Sequence, residues 1–243
     1  MLVIAAVGVM IRLGMWQLDR LEQRRAFNAR VSQQIAQPPL TLNAETLHLD
    51  LENMEYRQVI VQGEYDPEYE VALRNQVWGN RLGVDLITPL RIAGTDQAVL
   101  INRGWIPADL YTPGEGQQFA QTGQVTVYGV LRRSQSQPDI GRRSDPTPLP
   151  GERLLAWNLL NVARIAEQTP YELLPVYIQR VPDDSLPANQ AAWTIEHLPF
   201  PSEPDLDLTE GPHLGYAIQW FTFAAILTIG YPIFLSRQSK ETQ

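Results

Sequence analysis

The sequence predicts an α+β membrane protein, in which two transmembrane helices flank a β-rich domain with one or two short helices. Residues 214–235 form a run of 22 positions without a formal charge. At about 1.5 Å per residue this run reaches roughly 33 Å, enough to cross a hydrocarbon core of about 30 Å. The mean hydropathy of the chain is mildly negative at −0.21, so most of its 243 residues belong to a water-facing part.

A shorter apolar run opens the chain. Residues 2–18 carry one formal charge, Arg12, and reach about 25 Å, which is a marginal length for a span. A cleaved signal peptide would need a basic start and a small-x-small cleavage site, and neither is visible. We therefore predict a first transmembrane helix over residues 1–18, and its shortness leaves open that the sequence starts inside this helix. A juxtamembrane helix over residues 19–37 should follow it, because apolar side chains recur there at helical spacing.

The second transmembrane helix is predicted over residues 213–235, with a tail over residues 236–243. Two spans place both chain ends on one side of the membrane and the intervening residues on the other. Arg237 and Lys240 favour a cytoplasmic tail, whereas the arginines after the first span favour the opposite orientation. Because long domains largely escape the charge rule, the residues leave the orientation open.

Residues 38–212 have the pattern of a β-rich domain. Residues 157–169 contain one short helix, with Asn161 as a plausible N-cap, and residues 175–181 and 192–198 are predicted as closing strands. The close spacing of the preceding strands predicts an antiparallel sheet or a barrel with a helix packed on it. Those five strands are alternating or β-branched runs punctuated by Gly and Pro, over residues 56–65, 68–75, 82–92, 97–106 and 124–132.

The charge of this domain excludes one class of partner. Residues 36–212 hold 12 arginines and 24 acidic residues, a net charge of −12. An acidic surface repels phosphate backbones, so we expect no nucleic acid binding. The chain has no cysteine, which excludes disulfides, thiolate catalysis and CxxC redox chemistry.

The usual catalytic strings are also missing. There is no G-x-S-x-G elbow, no P-loop and no dinucleotide glycine motif. A Ser/Lys dyad needs a lysine near the serine, but Lys240 in the tail is the only lysine. His48, His197 and His213 are the only histidines, and none stands in an H-E-x-x-H pattern. We therefore expect that the protein is not an enzyme. The alternative with the least support is a membrane-anchored hydrolase, which would need clustered acidic residues or a serine near His197.

His213 is the best-placed ligand-forming side chain. Pro212 marks the start of the second span, because proline is favoured in the first turn of a helix. A neutral imidazole there is the form that ligates iron, and a planar, apolar macrocycle would suit an aromatic stripe below it. The alternative is an interface histidine with ordinary aromatic-belt neighbours, and the residues leave both open. At about 100° per residue, the side chains on the same face as His213 are Tyr216, Trp220, Leu227 and Tyr231.

Two other strings carry charged or aromatic side chains in suggestive positions. Trp16 and Arg20 share a face of the first helix, where Arg20 could hold a carboxylate or propionate. The alternative is an anchoring tryptophan with a snorkelling arginine. Residues 102–105 read Asn-Arg-Gly-Trp at the end of a strand, and we favour a structural turn there, with Arg103 paired to a carboxylate and Gly104 permitting a bulge.

Together these strings resemble the Surfeit locus protein 1 family of cytochrome c oxidase assembly factors. They occur in the family's order, and the span–β domain–span layout is also the family's. The matching pieces are Gly14-x-Trp16-Gln17-x-x-Arg20, Tyr56-Arg57-x-Val59, Gly83 with Thr88-Pro89-Leu90, Asn102-Arg103-Gly104-Trp105-x-Pro107, Trp157 followed by the Val162–Ala166 helix, and His213-Leu214-x-Tyr216-Ala217-x-Gln219-Trp220-Phe221.

The resemblance implies a non-enzymatic factor of the bacterial plasma (inner) membrane, with a periplasmic domain and a cytoplasmic tail, that helps deliver heme a to cytochrome c oxidase subunit I. The family's heme-binding histidine falls on His213, the expected iron ligand. Departures are Arg12, where the family is apolar, and Asn161, where an acidic residue is common. The expected heme-contacting residues are His213, Tyr216, Trp220, Trp16, Gln17 and Arg20.

A second hypothesis keeps the family but removes the cofactor. In it the domain is a scaffold that stabilises subunit I or couples it to heme a synthase, and heme contact is incidental. Both hypotheses expect membrane lipid around the two spans and no catalytic residue.

Overall fold

The computed structural model describes residues 2–112, 119–138, 144–148 and 151–241. The chain divides into two compact units. We call residues 1–33 with 206–243 the helical unit, and residues 34–205 the β domain. The α-helices of the described residues are α1 (Leu2–Ile35), α2 (Val162–Ala166) and α3 (His213–Glu241).

The two long helices each contain a stretch that is long and apolar enough to cross a membrane, within Leu2–Ile35 and His213–Gln238. The predicted first span and the predicted juxtamembrane helix form one continuous helix, because no residue between them breaks the helical repeat. Helix α3 continues through the predicted tail as far as Glu241, and residues 242–243 lie outside the described residues. The exact bounds of the membrane-embedded parts stay predictions.

Small side chains let α1 and α3 approach closely. A Cβ atom added to Gly14 would lie 2.7 Å from ring carbons of Phe221. Ala217 and Ala224 of α3 are buried, and so is Leu21 of α1. Because lipid tails are as apolar as leucine, such close packing is what holds two helices together in a bilayer.

The β domain is built on one sheet. Its strand order is β1-β2-β6-β8-β5-β4-β3-β7, and β2 also pairs with β4. That extra pairing closes β2, β6, β8, β5 and β4 into a barrel, whose edges are thereby removed. The strands of the described residues are β1 (Leu40–Leu42), β2 (Gln58–Tyr65), β3 (Val71–Trp78), β4 (Arg81–Ile92), β5 (Gln97–Pro107), β6 (Gln124–Arg133), β7 (Ala156–Trp157) and β8 (Glu172–Arg180).

Apolar side chains fill both faces of this sheet. One core cluster includes Val61, Leu90 and Ile178, and a second includes Ile165 of α2 and Leu100 of β5. Fully burying such side chains contributes about 1.5–3 kcal/mol each. The predicted α+β class is confirmed: two apolar terminal helices flank a closed, mostly antiparallel sheet that carries a short helix.

Several local predictions are confirmed. Asn161 caps α2, because its side chain accepts a hydrogen bond from the backbone nitrogen of Arg164 at 3.2 Å. The five predicted strands correspond to β2 to β6, with β3 shifted towards Trp78. The predicted strand 175–181 corresponds to β8. Strands β1 and β7 have three and two residues, too short to leave an alternating pattern.

The predicted closing strand over residues 192–198 is wrong. The chain forms two short 3-10 helices there, Gln190–Ala192 and Ile195–His197. The backbone nitrogen of Thr194 donates to His197 Nδ1 at 3.0 Å, and the Asn189 side chain accepts from the backbone of Ala191 at 3.0 Å. These local caps satisfy backbone groups that a strand would have paired across a ladder.

Candidate functional site

His213 is the first residue of α3, and the local sequence explains why. Gly211 adopts a φ of +67°, a left-handed conformation that glycine enters without strain, and Pro212 then opens the helix. The backbone nitrogen of Tyr216 donates to Pro212 O at 3.1 Å, which completes the first turn. The imidazole is partly buried. The predicted position of His213 at the head of the second apolar helix is therefore confirmed.

Gln17 of α1 holds the His213 ring in one orientation. His213 Nδ1 lies 2.9 Å from Gln17 Oε1. Because the amide oxygen can only accept, the ring bonds it in the tautomer that carries its proton on Nδ1. The lone pair of Nε2 then remains for a metal, in the arrangement that ligating histidines usually adopt.

A set of contacts from α1 fixes the segment that leads into His213. Arg25 Nε and Nη2 lie 2.8 Å from the two carboxylate oxygens of Glu210, a bidentate ion pair. Arg24 Nε donates to Thr209 O at 3.0 Å, and Asn28 Nδ2 donates to Leu208 O at 2.6 Å. The sequence analysis did not predict these contacts. The one available signal was Glu210, a carboxylate that follows an acidic loop and directly precedes the span.

The predicted aromatic stripe lies on α3 below the histidine. Trp220 packs edge to face against Phe223, with ring centroids 6.3 Å apart. Tyr216 and Tyr231 expose 48% and 41% of their surface, as side chains that face lipid or a ligand would. Trp220 follows His213 by seven residues, or about 10.5 Å along a helix. The side chains therefore offer a continuous apolar face next to a ligand-forming nitrogen.

Trp16 and Arg20 form a pair of their own. The Arg20 guanidinium carbon lies 5.5 Å from the Trp16 ring centroid, and Arg20 also donates to Gln23 Oε1 at 3.2 Å. Within the part of the chain that the structure describes, no hydrogen bond or ring contact joins this pair to His213. Gln17 stands about 100° around the helix from Trp16, so the two side chains lie on different faces of α1. The ligand-contacting roles of all these residues stay predictions.

The Asn-Arg-Gly-Trp string belongs to the core of the β domain, as the structural interpretation expected. Arg103 Nη1 lies 3.1 Å from Glu70 Oε2, and both side chains are buried. Burial raises the pKa of Glu70, while hydrogen bonds from Thr88 and Arg103 act in the opposite direction. Gly104, at a φ of +123°, lets the neighbouring backbone approach closely. An added Cβ would lie 2.2 Å from a carbonyl oxygen.

A polar cavity of about 470 Å³ lies near His197 in the β domain, where a hydrolase would need its catalytic groups. His197 Nδ1 contacts Thr194 Oγ1 at 3.0 Å, and Ser185 Oγ donates to Asp183. No hydrogen bond among the described residues joins Ser185 to His197. Nor do those residues contain a cluster of three or more His, Asp or Glu side chains that could hold a metal ion. The expectation that the chain is not an enzyme stays a prediction.

Comparisons with known proteins point to one family. The sequence profile described as the SURF1 family matches residues 4–225. A SURF1-like protein of Monosiga brevicollis is 28% identical, over 93% of this chain and 83% of its own length. Surfeit locus protein 1 of Rattus norvegicus is 23% identical, over 88% of this chain and 68% of its own. An uncharacterized SURF1-like protein of Mycobacterium bovis is 25% identical, over 91% and 76%.

Proposed function

The chain belongs to the SURF1 family, and on this premise we propose that it is a membrane-anchored assembly factor for a heme-copper (cytochrome c) oxidase. It holds heme a during delivery to subunit I. The observation that carries this proposal is the hydrogen bond of 2.9 Å between Gln17 and His213. A histidine oriented through Nδ1 by a partner on a second helix is prepared to ligate through Nε2.

The residues present fit a heme group. A single histidine is a sufficient protein ligand for heme iron, and with the proton on Nδ1 the lone pair of His213 Nε2 points away from the ring for that bond. The aromatic face of Tyr216 and Trp220 gives an apolar surface for the macrocycle. When bound, heme a would supply the redox-active iron that the oxidase requires, and the protein supplies only binding and orientation.

Each residue of the site has a separate task in this proposal. Gln17 fixes the tautomer and the ring plane of His213. The contacts of Arg24, Arg25 and Asn28 fix the backbone on which His213 stands. Arg20, at the same level of α1, is the candidate partner for a propionate, because a guanidinium binds a carboxylate in a planar, bidentate manner.

The same proposal sets the cellular placement. The two spans lie in the bacterial plasma (inner) membrane, the β domain is periplasmic, and the partners are subunit I and heme a synthase. The acidic charge of the β domain supports contact with cationic protein surfaces and not with nucleic acid.

The test is purification of the full chain in detergent from cells that make heme a and from cells that do not. We expect a Soret band only in the first preparation, and its loss in the His213→Ala variant. The His197→Ala variant is the matched control and should keep the band. A preparation that retains subunit I but never carries heme would favour the scaffold hypothesis and overturn the heme-holding role.

A further inference from the structure

An apolar groove lies along the helical unit, further along α3 than His213. It has a volume of about 420 Å³ and is lined by residues of both long helices. Phe223, Gly230 and Tyr231 of α3 line it, together with Met10 of α1. None of the residues that line this groove carries a formal charge. The groove therefore suits a hydrocarbon chain and offers little to a polar ligand.

The groove continues the two helix faces that meet at the contact of Gln17 with His213. Met10 precedes Gln17 by seven residues, which at about 100° per residue brings it back to nearly the same face of α1. Tyr231 follows His213 by 18 residues, or about five turns of the helix, and so shares the face of His213. The groove and the histidine therefore lie along the same side of each helix.

Aromatic rings connect the histidine site to the groove. Trp220 of the predicted stripe packs edge to face against Phe223, with ring centroids 6.3 Å apart, and Phe223 lines the groove. Phe221, which lies beside Gly14, is about 160° around α3 from Phe223, so the close packing of the helices does not block this path. An apolar surface thus extends from Trp220 to Tyr231, roughly 16 Å along the helix.

Gly230 leaves part of the groove open. A Cβ atom added to this residue would meet no atom of the described residues within 4 Å. Glycine in membrane helices usually serves close contact between backbones, as Gly14 does beside Phe221. Gly230 makes no such contact within the part of the chain that the structure describes. The groove is therefore space that the packing of α1 against α3 leaves unfilled.

We propose that this groove binds the isoprenoid tail of the heme and makes the site selective for hemes that carry such a tail. The inference rests on the proposed function, because the tail reaches the groove only from a macrocycle held beside His213. A macrocycle that rests on Tyr216 and Trp220 brings its tail to Phe223, where the groove begins.

Tethering lets the tail occupy the groove in a membrane. Lipid chains compete for the same space and are equally apolar, so the hydrophobic effect alone gives the tail no advantage. The heme tail is attached to a group that is already bound, which raises its effective concentration at the groove. Because the groove contacts only the tail, heme a and heme o, which share that tail, should bind alike. Heme b lacks the tail and should bind more weakly.

The test is an optical titration of the full chain, in nanodiscs of phosphatidylcholine, with heme a, heme o and heme b. The parent chain is compared with Gly230→Leu, which fills the groove. Gly8→Leu is the matched control, because an added Cβ there also meets no described atom within 4 Å and Gly8 lies on the opposite face of α1 from Gln17. Comparing variants in identical nanodiscs cancels the partitioning of each heme into lipid.

The parent chain and Gly8→Leu should bind heme a and heme o at least about tenfold more tightly than heme b, as a second point of attachment predicts. Gly230→Leu should remove most of this preference by weakening the binding of heme a and heme o. Its affinity for heme b and the position of its Soret band should stay unchanged, because His213 still holds the iron.

Three results would overturn the tail site and leave heme binding in place. A preference for heme a that persists in Gly230→Leu means that the tail lies elsewhere, and equal affinities of the three hemes for the parent chain mean that the tail is not recognised. Equal weakening of all three hemes by Gly230→Leu means that the substitution disturbs the helix pair. If the parent chain binds none of the three hemes, the proposed function fails and the tail site fails with it.

Discussion

Gln17 and His213 are separated by 196 positions in the sequence, yet their side chains meet at 2.9 Å. This contact joins α1 to α3 at the first residue of α3. With Gln17 Oε1 as the acceptor, the ring carries its proton on Nδ1, and the proposed iron ligand is then Nε2.

Replacement of Gln17 by leucine should weaken heme binding by about tenfold, because loss of an outer hydrogen-bond partner typically costs 10–100-fold in affinity. Optical titration of the full chain with heme a measures this. Gln17→Glu should retain binding and shift the Soret band, since a carboxylate makes the imidazole more basic. The control is Gln23→Leu, which removes an exposed amide that bonds only Arg20 among the described contacts. Equal affinities for the Gln17→Leu and Gln23→Leu variants would contradict the account.

Replacement of Gly14 by alanine should destabilise the helix pair, because the new methyl group would lie 2.7 Å from the Phe221 ring. Overpacking of this kind costs about 1–3 kcal/mol. The readout is the temperature at which the full chain loses helical circular dichroism in detergent. Gly8→Ala is the matched control, since its added Cβ would meet nothing within 4 Å. A partial recovery is expected in the Gly14→Ala/Phe221→Ala double variant, and the absence of any difference between Gly8→Ala and Gly14→Ala would count against close packing.

The two residues of the Arg25–Glu210 ion pair should be able to exchange positions without loss of heme loading. Arg25→Glu places two carboxylates together and is expected to lower the fraction of chain that purifies with heme, because it disturbs the backbone ahead of His213. Adding Glu210→Arg restores a bidentate pair of reversed polarity and should restore loading. The heme absorbance per mole of purified chain measures the loading. If the reversed pair stays as low as Arg25→Glu alone, the pair does not act by positioning the segment.

Asp85 should make the β domain less stable as the pH rises. Burial raises the pKa of this carboxyl to about 6, although the hydrogen bond from Asn102 acts against that rise. The folded state therefore binds a proton more tightly than the unfolded chain does, and stability falls as the pH increases from about 4 to about 6. Asp85→Asn should stabilise the domain by about 3 kcal/mol at pH 7 and by less than about 1 kcal/mol at pH 4.

Urea unfolding of the full chain, followed by tryptophan fluorescence at both pH values, checks the Asp85 prediction. Asp96→Asn serves as the control, because Asp96 lies exposed in a turn and its replacement should leave the pH dependence as it is. An Asp85→Asn variant with the same stability as the parent chain at pH 7 would show that the buried carboxyl is not a source of instability.

Much of the fold could be predicted from hydropathy and alternation. An uncharged run predicts an apolar helix and an alternating, β-branched run predicts a strand, and neighbouring residues alone carry both signals. His213 could be singled out for the same reason, because Pro212 marks where the helix starts. The partner of His213 could not be predicted. The periodicity of a helix shows which of its side chains share a face. Which face contacts a second helix depends on packing, here on the fit of Gly14 to Phe221.

Long-range pairing explains the other differences. The contact of β2 with β4 that closes the barrel leaves no signal in either strand alone. Residues 192–198 alternate as a strand would, yet the side chain of His197 captures the backbone of Thr194, so local capping prevails over the pattern. The contacts of α1 with residues 207–210 could not be predicted, because they join a helix to a loop that has no periodic pattern.

The most direct measurement of the central claim is the resonance Raman spectrum of the ferrous, heme a-loaded full chain. An iron–imidazole stretching band should be present in the parent chain and in His197→Ala. In His213→Ala it should disappear, and added imidazole should return it at a displaced frequency. An iron–imidazole band of unchanged frequency in His213→Ala would show that another residue holds the iron, and the role assigned to the Gln17–His213 contact would be lost.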